Sequence, residues 1–460
     1  MRKQLICTGL LLVMPAVCPS GNVAAADRSR FSDEPAPLRL EDFPERPKPL
    51  LELGDKFLGT GKLQKGFTLP TGAVWHPSLW VYGNFRSAVQ TYDNGTTHIS
   101  EWANDLNLFG NLQLAATERI LVGVRPLRND NGAFTGYNFE PQSTRGWQED
   151  FNENSFQLRT LFFEGEFGEL FPKLDQGDRL SLDYGISLGR QPLSLQDGIL
   201  INDDSLDMVS ITRNALLPGN GSHMRLSGLF AWNEIERNDN IEDRNSYLIG
   251  LDGFADFPKS TIEASILGIL SRNQSDAIYA GIGAIQRIGR VSTTFRVNQS
   301  LALQTPTAGV QSGTMFFAEM SIEPPYTHNV LYVNGFWGID DFSSAVRGPS
   351  AGGPLGRTGL LFAAVGLGNY GSALSNSGQK AAGGAFGYQM FFGELRRRQL
   401  VLELGGLKPT DGRNTSAEAI GARYQQAFGQ RTILVLDAFG SLQENAKEGV
   451  GGRVEFLVKF

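Results

Sequence analysis

The sequence predicts an all-β chain: a closed antiparallel transmembrane β-barrel of roughly 16–18 strands, 18 favoured, with short periplasmic turns and longer outer loops. Three observations predict it. From about residue 79 onward, apolar and polar side chains alternate with a period of two, the mark of strands with one oily and one wet face. Short and long connections also alternate along the chain. Finally, 55 of 460 residues are Gly, only 19% are charged, and beyond the N-terminus no apolar run approaches the roughly 18 residues of a membrane helix.

The first residues stand apart. "MRKQLICTGLLLVMPAVCPSGNVAAADRSR" has a basic start at Arg2 and Lys3, an apolar stretch from Leu5 to Val17, and an A-x-A site at Ala24–Ala26. This is the grammar of a cleaved signal peptide, expected over residues 1–26. Both cysteines, Cys7 and Cys18, fall inside it, so the exported chain is expected to be free of disulfides. Removing Arg2 and Lys3 from the 41 basic residues, against 48 acidic ones, leaves a net charge of about −9, which argues against a nucleic-acid partner. Residues 27–78 are rich in Pro and charge ("DEPAPLRLEDFPERPKPLLELGD") and read as a periplasmic leader, a plug, or an arm for a periplasmic partner.

The barrel is expected over 79–460. Alternating segments fall at 79–92, 97–115, 119–127, 155–168, 179–191, 206–215, 222–236, 245–256, 261–272, 276–288, 290–304, 313–323, 329–341, 380–393, 398–408, 414–428, 431–443 and 449–460. Two are weak: 155–168 loses alternation at "TLFFEGEF", and 206–215 is short. The long connections lie near 128–154, 192–205, 305–312 and 342–379; "ATER", "RIGR", "LRRR" and "FGQR" are tight turns. The final segment sets Val454, Phe456, Val458 and Phe460 against Arg453, Glu455 and Lys459. A strand at that position must close the sheet by pairing with the first, since hydrocarbon leaves no backbone group a partner in water. The terminal Phe460 is similar to the C-terminal signal by which outer-membrane barrels are recognised for assembly.

Parity assigns the lumen. Lys or Arg facing lipid at mid-bilayer costs roughly 2–4 kcal/mol, so charged positions are expected to point inward. The expected pore-lining cations are Arg86, Arg125, Arg159, Arg225, Arg296, Arg423 and Arg453, with Lys459 at the end. The expected acids are Asp105, Asp183, Glu263, Glu319, Glu403, Asp437 and Glu455, with Asn84, Asn111, Gln113, Asn298 and Gln425 between them. Such a lumen is either a hydrated pore with a transverse field or a sealed network of ion pairs.

The stretch "LGRQPLSLQDGILINDDSLDMVSITRN" is unusual. Pro192 cannot donate to a ladder, so the strand must bulge or end there, and Asp197-Gly198 signals a turn. Arg190 and Arg213 flank Asp197, Asp203, Asp204 and Asp207, which suits an inward loop tied by Arg–Asp pairs, a pore constriction, or an oxygen-rich metal site whose spacing matches no standard loop. Gly189, Arg190, Gln191, Asp197 and Gly198, in a chain with this strand count, resemble the alginate-export family of outer-membrane barrels. The resemblance implies export of an anionic polysaccharide past Arg190, Arg86, Arg125, Arg159, Arg225, Arg296 and Arg423. The inward acids depart from that pattern because they would repel a polyuronate. A porin passing small hydrophilic or anionic solutes is therefore the expectation, with outer-membrane lipid as surroundings.

Two features remain. The 342–379 connection carries the apolar centre "GLLFAAVGLG", which suits a lid over the mouth, a fold into the lumen, or hidden strand. An enzyme finds little support. Of His76, His98, His223 and His328 only His98 reaches an outer loop, beside Asp93, and there is no H-E-x-x-H or phosphate-binding loop. No catalytic residue, metal or cofactor is expected; a sleeve around an electron-transfer or export partner is the alternative to a porin.

Overall fold

The computed structural model describes residues 47–59, 64–128, 134–139, 147–148, 156–175, 182–217, 219, 221–393, 395–413 and 415–460. The expected signal peptide and the leader as far as residue 46 lie outside them, as does most of the 128–154 connection.

Of the described strands, 18 pair in sequence order and close into a ring. They are β1 (Ser78–Asp93), β2 (His98–Gln113), β3 (Arg119–Arg125), β4 (Gln157–Glu166), β5 (Tyr184–Leu195), β6 (Ile201–Leu216), β7 (His223–Trp232), β8 (Ser246–Phe257) and β9 (Ser260–Ser271). Then come β10 (Ala277–Ile288), β11 (Val291–Ala302), β12 (Gly313–Ile322), β13 (Val330–Asp340), β14 (Ala381–Phe392), β15 (Arg398–Pro409), β16 (Ala417–Phe428), β17 (Thr432–Gln443) and β18 (Gly449–Lys459). β18 pairs antiparallel with β1 from Val450↔Asp93 to Lys459↔Asn84. Phe460 finishes the seam, its N–H donating to the Gly83 carbonyl (3.0 Å) and its carbonyl accepting from the Gly83 N–H (2.8 Å). Below Phe460 the Leu51–Leu53 strand takes over the edge of β1, with Leu51 opposite Val81 and Leu53 opposite Leu79. Part of the Pro-rich segment is thus joined to the wall.

The two faces separate as the alternation requires. On β8, Tyr247, Ile249 and Leu251 are exposed on the outside while Ser246, Leu248 and Gly250 are covered on the inside. On β18, Val450, Val454 and Phe456 point out, and Arg453 and Glu455 in. Outward aromatics gather at both rims: Tyr247 and Trp337 toward the end with longer loops, Phe257, Phe392 and Phe428 toward the end with tighter turns. That is the girdle of a wall whose middle is apolar and whose edges meet water.

Both weak segments have a physical cause. The register of β3 against β4 slips between Gly123 and Val124, so β4 passes from Leu158 to Thr160. This bulge breaks alternation and brings Arg159 inward. On β5 the register slips between Gln191 and Leu193, around Pro192. The expected 192–205 loop is otherwise strand: β5 runs on to Leu195, β6 begins at Ile201, and only 196–200 turns. Alternation failed there because this hairpin leaves the wall and enters the lumen.

Replacing outward Leu251 with Arg should destabilise the refolded barrel by about 2–4 kcal/mol in vesicles, measured by denaturant titration. The same change at inward Asp252 should cost much less.

Candidate functional site: the lumen

Most of the 341–380 segment folds into the barrel. Its apolar residues decide this: Phe342, Leu355, Leu361, Phe362, Leu367 and Leu374 are all at most 2% exposed. Burying a large apolar side chain is worth about 1.5–3 kcal/mol, which an outer loop in water would forgo. Leu367 packs with Ala88 and Ala103; the cluster of the other five includes inward residues near the loop end, such as Met208, Leu248, Ile269, Met315 and Phe336, and the hairpin tip Ile199–Leu200–Ile201. The barrel therefore holds an apolar core of its own.

Polar contacts moor this segment to several strands of the wall. Glu403 on β15 accepts from the N–H groups of Leu360 (2.9 Å) and Leu361 (2.8 Å) and from the Tyr332 hydroxyl. Further round the ring, Glu101 on β2 accepts from the Asn369 backbone N–H (2.6 Å) and side-chain amide (2.8 Å). Arg86 donates to the Gly366 carbonyl (3.1 Å) and Gln90 to that of Leu367 (2.9 Å).

The β5–β6 tip is fastened in turn. Gln196, Asp197 and Gly198 share a left-handed turn (φ 52°, 53° and 80°). Ile201 and Asn202 then pair in parallel with Val346 and Arg347. Arg347 closes the junction. Its guanidinium donates to the carbonyls of Gly198 (2.8 Å), Gly352 (2.6 Å), Gly353 (2.8 Å) and Ala351 (3.4 Å), and to the Ser344 hydroxyl (3.1 Å). These acceptors are all neutral, and burial lowers the Arg347 pKa to about 10.

Ionic side chains form three groups. On the seam Arg86 meets Glu455 (2.7 Å), Arg453 meets Glu455 and Asp437 (2.5 Å), and Arg423 meets Asp437 (2.6 Å). Beside it Arg125 and Arg159 (3.0 Å) share Asp204, and Arg128 holds Asp105 (2.9 Å). The third group faces these across the lumen: Arg296 with Asp197 (2.5 Å) and Glu263, and Arg357 with Asp197 (3.6 Å) and Glu319 (3.3 Å). The first two groups each have three cations to two carboxylates; the third has two to three.

Each expected site residue has a place. Arg86, Arg159, Glu263 and Arg423 face inward and stay partly exposed, while Arg225 lies over the Phe254 ring (4.5 Å). Asp105, Arg125, Arg296, Glu403, Arg453 and Glu455 point inward but are covered, at 5% exposure or less. Glu319 and Asp437 belong to the ion pairs above. Asp197, Asp203 and Asp204 belong to the inward hairpin. Four positions depart from expectation. Asp183 precedes β5, outside the wall strands. Arg190, Asp207 and Arg213 share the outward parity of Leu188, Ile211 and Tyr184: Arg190 stands opposite Asp207 and Leu161, and Arg213 opposite Tyr184. Arg190 pairs there with Asp207 (2.9 Å) and Glu234, and Arg213 lies over the Tyr184 ring (4.8 Å). They are not part of a constriction.

Sequence reading missed Glu101, Arg128, Arg347 and Arg357. Glu101 was legible, since it shares the parity of Asp105. Arg347 had a weaker signal, an arginine opening a Gly/Pro-rich turn whose carbonyls need donors.

No family profile matches the chain, and neither does any curated protein. Solved structures do share its fold. OpdK, an outer-membrane protein of Pseudomonas aeruginosa, aligns with TM-score 0.55 and 11% identity over 83% of this chain and 98% of its own. A BenF-like porin of Pseudomonas fluorescens Pf-5 gives 0.56 and 12% over the same shares, 83% and 98%. Wzi of Escherichia coli, a carbohydrate-binding barrel involved in group 1 capsule assembly, gives 0.50 and 11% over 82% and 84%. The fold is that of 18-stranded outer-membrane barrels.

Arg347→Met leaves four carbonyls and a hydroxyl without their donor. It should cost about 3 kcal/mol or more. The expected outcome is an intact barrel whose 341–380 segment exchanges its backbone amides faster, read by deuterium exchange.

Proposed function

We propose that this chain is a diffusion channel of the bacterial outer membrane, passing small hydrophilic solutes and favouring anions. One observation carries this: the chain's own 341–380 segment narrows the loop end, while partly exposed charges of both signs line the lumen beneath it. Arg86, Arg159 and Arg423 lie on one side, and Asp197 and Glu263 on the other. Such an arrangement sets a transverse field across the solute path. The excess of cations over carboxylates in the two larger arginine groups supports the anion preference. The OpdK barrel has also been solved with vanillate.

Passage of a polysaccharide, as the alginate-export resemblance implied, is less well supported, because a polymer would have to displace buried loop residues. A sleeve for a partner protein meets the same obstacle.

The test is reversal potential across a salt gradient with the purified full chain in planar bilayers. Wild type should show ion conductance with anion preference, and Arg159→Glu should shift the reversal potential toward cations. Arg190→Glu, on the outer face, should leave it unchanged. A barrel that folds but conducts no ions would overturn the proposal.

A further inference from the structure

The third element of the inward assembly is the 233–245 loop between β7 and β8. It forms a small ladder, Ile235↔Asp243 and Glu236↔Glu242, with Ile235 fully buried in the lumen core. It is tied to the 341–380 segment at two points. The Asn240 side-chain amide donates to the carbonyls of Arg347 (3.1 Å) and Gly348 (2.9 Å), and Asn238 Oδ1 accepts from the Ser344 N–H (2.9 Å).

Where these elements meet, two carboxyls come near each other beside Gly348. Asp203 is 5% exposed; its Oδ1 accepts from the Ser205 N–H (2.8 Å) and hydroxyl (3.1 Å), while its buried Oδ2 has no partner. The Glu236 Oε2 is likewise buried without a partner. A Cβ placed on Gly348 would stand 3.4 Å from both Asp203 Oδ1 and Glu236 Oε2. Those two oxygens are thus no more than about 7 Å apart, a distance at which two negative charges in a dry site strongly disfavour each other.

The charges around Glu236 do not relieve this. Its own loop contributes Glu234 and Glu242, and β6 contributes Asp203 and Asp204. Arg347 on the 341–380 segment is turned to carbonyls. The nearby cations are engaged elsewhere: Arg237, next along the loop, with the Tyr279 hydroxyl (3.2 Å) and Asp243 (3.9 Å), Arg190 with Asp207 and Glu234, Arg125 and Arg159 with Asp204, and Arg244 with Glu242.

We propose that Glu236, beside Asp203, forms a proton-controlled latch: a proton on Glu236 keeps the 233–245 loop packed on the 341–380 segment, and its loss releases the loop and widens the mouth. Burial, and then the charge of Asp203, push the Glu236 pKa from its ordinary 4.5 up to about 9. In the packed state Glu236 therefore keeps a proton that the released state gives up. Packing is firmest below about pH 4.5 and weakens as pH rises toward about 9.

The widening of the mouth rests on the channel reading above, whereas release of the loop does not, so two measurements separate them. Amide deuterium exchange of residues 233–245 in the full chain, corrected for chemical exchange rates, should be about tenfold faster or more at pH 9 than at pH 6. Conductance should rise over the same range. Glu236→Gln, which keeps the shape of the protonated acid, should flatten both profiles, and Asp203→Asn should make them shallower. Corrected exchange that ignores pH in wild type, or responds equally in Glu236→Gln, would overturn the latch. Exchange that responds without any conductance would uphold the latch and remove the channel reading.

Discussion

A backbone in hydrocarbon has no water to bond to, and this constraint governs the rest of the structure. An open sheet would leave a row of N–H and C=O groups bare on each edge at a cost of several kcal/mol per group. Pairing β18 with β1 removes both edges. The pleat then makes the exterior a lipid surface and the interior a separate compartment.

That compartment is larger than side chains can fill, and the chain resolves this by length. Near the loop end, the inner wall is apolar at positions such as Leu229, Leu248, Leu267, Ile269 and Phe336, and the 341–380, 196–200 and 233–245 segments bring matching apolar groups. Lower on the wall the inner face turns polar, with Asp252, Glu263, Glu319 and Arg423. A strand such as β9 thus meets two solvents on its inner face alone, protein at one end and water at the other.

This division explains what could be read beforehand. The wall was legible nearly residue by residue, because a period of two is imposed by lipid outside whatever lies inside. The two exceptions sit where a bulge or an inward bend releases the strand from that rule. The interior was less legible. Leu267 and Ile269 point inward between outward Ile266 and Leu270, so parity alone shows no wet face there. Arg190 misled for another reason: its partners Asp207 and Glu234 stand on the outer side, level with Trp232 and Tyr247 rather than with the middle of the band. The cost that should have turned it inward falls toward zero near an interface. Arg347 was harder to read than Glu101 because four of its five acceptors are backbone carbonyls, which carry little sequence signal.

The inward charges do more than hydrate a path. Arg86 and Glu455 pair across 369 residues of sequence, on β1 and β18, so the lumen's ion pairs span the same seam that the backbone closes. Arg453 links that pair to Asp437 and hence to Arg423 on β16, making a chain of charges over four adjacent strands. Arg86 also holds the 341–380 segment through two carbonyls. Breaking a buried member of such a network leaves its partner uncompensated, which costs more than the pair itself contributes. The charges bordering the proposed solute path are for that reason also constraints on where the 341–380 segment rests, and a substitution that alters selectivity there should be expected to alter loop position with it.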